Sequence, residues 1–118
     1  MRHGMSKSGL NVQSDHRGAI VRALATSVIL HERIKTTQKR ASLAAPVVER
    51  LIMHAKKKDP VNAIREINKV VLDPNASRKL IEVLKVRYKE RTSGFIRITK
   101  FKNRAGDNAP IVVLELIS

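Results

Sequence analysis

At 118 residues the chain is sized for one domain, and its 24 Lys and Arg against 10 Asp and Glu give a formal charge of +14, which implies a polyanionic partner. It has no cysteine, which excludes disulfides and thiolate zinc sites, and no apolar run near the ~20 residues that span a bilayer, so no membrane partner is expected. Only Phe95, Phe101 and Tyr88 are aromatic, so the core must be assembled from Ala, Val, Ile and Leu.

Residues 1 to 13 mix Gly4, Ser6, Ser8 and Gly9 with Arg2, His3 and Lys7 and cannot order by burial; they read as a basic extension to a single folded domain over 14 to 118. The opening residues lack the hydrophobic region of a secretory signal, so a soluble cytoplasmic protein is expected. Ser14 is placed as the N-cap of a first helix over Asp15 to Arg33, in which Ile20, Ala23, Leu24, Ser27, Val28 and His31 recur at helical spacing. Ile34-Lys35-Thr36-Thr37 is short and β-branched and reads as extended, with Thr37 able to cap the next helix. That helix carries Ala41, Ala44, Ala45, Val48, Leu51, Ile52 and Ala55 as one core-facing stripe. Pro46 lies inside it and, at a cost of about 3 kcal/mol, predicts a kink or a split. Asp59-Pro60 starts a short third helix, and Asp73-Pro74-Asn75 is a turn before a fourth, marked by Ala76, Leu80, Ile81, Leu84 and Tyr88 and capped by Asp73 or Asn75. From Phe95 to Lys100 the period is two, placing Ile96 and Ile98 on one face and Arg97 and Thr99 on the other. Ile111 to Ile117 is a second strand, reached through a loop holding the turn Gly106-Asp107-Asn108.

The positive charge is zoned. Arg33, Lys35, Lys39 and Arg40 form one block, and Arg87, Lys89, Arg91, Arg97, Lys100, Lys102 and Arg104 form another against Glu90 alone, while Asp59 to Glu82 is balanced. Such zoning reads as binding faces beside a neutral remainder. No pattern supplies catalysis: Ser14, Asp15 and His16 are too close in sequence to converge, the four histidines have no metal-ligand spacing, and no Gly-rich phosphate motif is present. Neither an enzyme, a cofactor nor a small-molecule substrate is expected. Phosphate binding, by contrast, needs only charge and reach, and Lys35, Thr36, Thr37, Lys39 and Arg40 join cations and hydroxyls at a helix start. Scarce aromatics favour a structured, phosphate-dense target over a single strand.

The stretches Met1-Arg2-His3, Ser14 to Arg17 (S-D-H-R), Leu30 to Thr37 (L-H-E-R-I-K-T-T), Ser93 to Ile98 (S-G-F-I-R-I) and Arg104 to Pro110 (R-A-G-D-N-A-P) together resemble the bacterial large-subunit ribosomal protein seventeen family, in order and over nearly the whole chain. The resemblance implies an α/β fold of the α+β type, about four helices on a small mixed three-stranded sheet to which I-K-T-T, F-I-R-I and the carboxy-terminal segment contribute. It also implies a structural role on large-subunit ribosomal RNA, near the nascent-chain exit side and beside neighbouring ribosomal proteins. Arg2, His3, His16, Arg17, Lys35, Thr36, Thr37, Arg97 and Arg104 fall on the family motifs and are RNA-contact candidates; Lys7, Arg22, Lys39, Arg40, Lys100 and Lys102 join them on charge. The amino-terminal stretch is poorer in arginine than the family pattern, and Pro46 stands where a helix former is usual. The competing reading is a nucleoid-type double-stranded DNA binder that uses the first two helices as a helix-turn-helix.

Overall fold

Small apolar residues at helical spacing decide where the helices of this chain meet. In the computed structural model, which describes Leu10 and residues 12–118, α1 (Ser14–His31) buries Ala25, Val28 and Ile29. Thr26 is buried with them and is satisfied: its hydroxyl donates to the Arg22 carbonyl at 2.9 Å and accepts the Leu72 amide at 3.4 Å. The N-cap is Gln13 rather than Ser14. The helix stops at His31, short of the expected Arg33, because Glu32 takes a left-handed φ of 62° while its amide still bonds the Val28 carbonyl.

β1 (Arg33–Thr37) runs directly into α2 (Gln38–Lys57), which buries Ala41, Ala44, Val48, Leu51, Ile52 and Ala55, the expected stripe without half-buried Ala45. Pro46 does not split α2, which is one continuous helix. Both Pro46 and Ser42, whose carbonyl loses its helical partner to the proline, are exposed, so water can satisfy the freed acceptor. α3 (Pro60–Asn68) starts with proline in its first turn, as Asp59-Pro60 predicts.

The fourth helical rod comprises α4 (Pro74–Lys79), a π-helical turn (Leu80–Leu84) and α5 (Lys85–Arg87). Asp73 caps it, its carboxylate accepting the Asn75 amide at 2.8 Å. The π turn was not anticipated. On an α-helix Leu80, Leu84 and Tyr88 would drift round the axis by about 40° per step, and a wider turn opposes that drift; all three are buried.

β2 (Ile96–Asn103) and β3 (Pro110–Leu116) complete a three-stranded sheet of order β1-β3-β2. Both pairings are antiparallel, which corrects the expectation of a mixed sheet. The β2–β3 hairpin must be antiparallel, and α2 to the end of the rod return the chain so that β3 runs against β1 as well. Val112, Leu114 and Leu116 of β3 enter the core that the helices share. Phe95, just before β2 and fully buried, packs on Tyr88 with ring centroids 5.0 Å apart, and its amide donates to Glu49 at 3.1 Å. Helical rods on one face of a three-stranded sheet make this the α+β architecture the sequence implied.

Candidate nucleic-acid interface

Side chains alternate along a strand, so if Val112, Leu114 and Leu116 face the helices, Ile111, Val113 and Glu115 mark the outer face of the sheet. The pairing register then builds three rows across that face: Arg33, Glu115 and Arg97; Lys35, Val113 and Thr99; Thr37, Ile111 and Lys102. In the first row Arg33 Nε and Arg97 Nη1 each lie 3.8 Å from a Glu115 carboxylate oxygen, and the two arginine side chains stay 67% and 61% exposed. Pairs that loose and that wet hold their charge weakly.

In the second row Lys35, on one edge strand, sends its ammonium over β3 to within 4.2 Å of the Phe101 ring centroid on the other edge strand. The crossing stem accounts for Val113 being only 3% exposed although it faces away from the core. A β-bulge lies between Lys100 and Lys102: pairing jumps from Lys100–Val112 to Lys102–Ile111, leaving Phe101 as the extra residue. Strict alternation would have turned Lys102 toward the helices. The bulge returns it to the outer face, with its ammonium 5.6 Å from the same ring. Arg33, Lys35, Arg97 and Lys102 therefore share a surface on which Glu115, the only acid in the three strands, is the one counter-charge.

Of the sequence candidates, this face brings together Lys35, Thr37, Arg97 and Lys102. Thr36 and Lys100 both pair with Val112 and so lie on the helix side of the sheet. Lys39 and Arg40 are exposed in the first turn of α2, whose N-cap Thr37 makes no side-chain capping bond. His16, Arg17 and Arg22 sit on α1, outside the strand rows. Arg104 forks onto Asp107 at 2.9 and 2.6 Å, closing the loop before β3; the guanidinium, with help from the Ala109 amide, holds the Asp107 carboxyl at about 2. Arg2, His3 and Lys7 lie outside the described residues.

The carboxy-terminal basic block, expected as one face, is divided. Arg87 Nη1 and Nη2 donate to Glu32 at 2.7 and 3.0 Å, and Lys79 Nζ lies 2.8 Å from the same carboxylate. Those hydrogen bonds, from Arg87 and then Lys79, lower the Glu32 carboxyl to about 2. Arg91 donates to the Gly94 carbonyl. Lys56, Lys85 and Lys89 instead meet round Val86 in a cleft of about 350 Å³ on the helical side, a grouping the sequence reading did not foresee. Sequence reasoning put Arg33 in a basic block but not among the RNA-contact candidates, and left Phe101 off the interface. The alternation of Arg33, Lys35 and Thr37 carried the signal for the first; nothing local announced the bulge that sets the second beside Lys102.

Among the described residues no three His, Cys, Asp or Glu side chains converge as a metal site, and no helix is long and apolar enough to cross a membrane. Burial and then Lys58 hold the His54 imidazole below its ordinary value. Because α1 and α2 are joined by a strand of the sheet, they do not form a helix-turn-helix, and the DNA-binding reading loses its motif.

Residues 20–117 match the model of the family described as Ribosomal protein L17. The chain belongs to the ribosomal protein L17 family. Members of this family are structural proteins, not enzymes. The chain is 43% identical to the large ribosomal subunit protein bL17 of Syntrophotalea carbinolica over 99% of its own length and 75% of the relative. It is 41% identical to bL17 of Desulforudis audaxviator over 92% of this chain and 96% of that one, and 43% identical to bL17 of Rickettsia bellii over 99% and 82%. The likeness read from the short motifs thus extends over nearly the whole of this chain.

Proposed function

We propose that the chain is a structural constituent of the large ribosomal subunit that binds large-subunit ribosomal RNA, supports assembly and translation in the cytoplasm, and sits among neighbouring ribosomal proteins. The observation that carries the RNA reading is the outer sheet face, which gathers Arg33, Lys35, Arg97 and Lys102 with Glu115 as the only acid of the three strands. Long cationic side chains on a twisted strand surface match phosphates spaced along an RNA backbone, and arginine forks onto two phosphate oxygens at once. Displaced counterions supply most of the affinity, so binding weakens steeply with salt. The basic extension over residues 1–13, the first turn of α2 with Lys39 and Arg40, and His16, Arg17 and Arg22 of α1 supply further RNA contacts.

Filter binding to large-subunit ribosomal RNA across a salt series tests the assignment. Arg97→Ala should weaken binding and reduce the slope of log K against log salt by about one. Lys69→Ala should change neither, because Lys69 lies in the charge-balanced segment and is already paired with Glu66 at 3.0 Å. Equal losses in the two variants would overturn the assignment of the face.

A further inference from the structure

Among the three aromatic residues, Tyr88 and Phe95 are buried, whereas Phe101 is 47% exposed. A phenyl ring left in water contributes little to the core, and here it stands on the most cationic surface of the sheet. The bulge makes the placement specific: it brings Phe101 and Lys102 to the same side of β2, and Lys35 reaches over β3 to the same ring from the opposite edge. The result is a flat π surface with two ammonium groups within 6 Å of its centre. A nucleotide presents the complementary pair of features, a flat base joined to an anionic phosphate.

We propose that Phe101 is the stacking platform for one unpaired base of the bound RNA, with Lys35 and Lys102 taking the phosphates on either side of it. This rests on the RNA reading above and adds what that surface selects. A base inside a duplex is already covered on both faces by its neighbours, so only a bulged or looped nucleotide can offer one to the ring. Without RNA, Lys35 shields the ring by a cation–π contact, and its flexible stem lets the ammonium swing onto phosphate when the base arrives. Every base has a π face, so the site distinguishes unpaired from paired nucleotides without choosing among the four.

Two RNA hairpins that differ only by one bulged nucleotide test this by filter binding at fixed salt. The wild-type chain should prefer the bulged hairpin by about tenfold. Phe101→Leu should bring that ratio to about one, and Phe101→Tyr, which keeps the ring, should retain it; circular dichroism verifies that both variants keep the fold. A ratio that survives in Phe101→Leu, or vanishes in Phe101→Tyr, overturns the proposal. So does a wild-type ratio of one with both hairpins bound, an outcome that leaves the RNA-binding face standing. Failure of the wild type to bind either hairpin would overturn the face itself and this inference with it.

Discussion

Replacing Glu32 by glutamine removes one charge and keeps the shape, and its effect can be worked out from the contacts. The carboxylate holds Arg87 by two bonds of 2.7 and 3.0 Å and Lys79 at 2.8 Å, tying the turn after α1 to the fourth helical rod. Together they lower the carboxyl from 4.5 to about 2, a displacement that corresponds to about 3 kcal/mol. With 35% of the Glu32 side chain exposed, solvent screening reduces the figure to about 1–2 kcal/mol. The folded-state pKa is the depressed one, so this stabilisation is whole above pH 4.5 and fades as the pH falls to about 2. Urea unfolding at pH 7 should therefore find Glu32→Gln less stable by about 1–2 kcal/mol, with a fall of about 4–8 °C in Tm. At pH 2.5 most of that deficit should be gone, because Glu32 of the unfolded chain is then protonated and the folded carboxyl is close to its own midpoint of about 2. A variant as stable as the wild type at pH 7, or a deficit undiminished at pH 2.5, would refute the reasoning.

Leu114→Ala should cost about 2–5 kcal/mol in urea unfolding, since Leu114 is fully buried at the centre of the middle strand; a loss below 1 kcal/mol would mean that the sheet face can close over the gap. Asp107→Ala should untie the loop that Arg104 closes and speed hydrogen exchange at the Ala109 amide, which Asp107 accepts at 3.2 Å, while leaving exchange at Leu114 unchanged. The Asp107 carboxyl lies at about 2, so in the intact chain the clamp should persist from neutral pH down to about that value. Unaltered exchange at Ala109 would show that the turn holds itself.

Short-range chemistry was legible in the sequence. The α2 stripe, the proline at the start of α3 and the Asp73 cap all depend on residues within about four turns of one another, and all appear in the structure. Pro46 misled because its cost depends on whether water can reach the Ser42 carbonyl, which is a property of the folded surface. The larger discrepancies came from contacts across long stretches of chain. Arg87 read as part of an RNA-facing block because its partner Glu32 lies 55 residues earlier. Phe101 fell in the loop after the expected strand, Phe95 to Lys100, because only the register against β3 reveals the bulge, and only β1 supplies Lys35. Lys35 and Arg97 were legible as candidates; that they lie in neighbouring rows of one surface, with Glu115 beside Arg97, was not.

The strand order sets a timetable for synthesis. β3 is the last of the three strands to leave the ribosome and the only one that touches both others. Until it emerges, β1 and β2 have no partner in the sheet, and the helices, all made before β2, can gather only against one another and β1. The loop closed when β1 finally pairs runs from Thr37 to Ile111, a long-range closure that belongs late in folding. During that interval the basic outer face does not yet exist, since its rows are assembled by β3. A chain released before β3 is made would carry much of the same charge with no surface on which to arrange it.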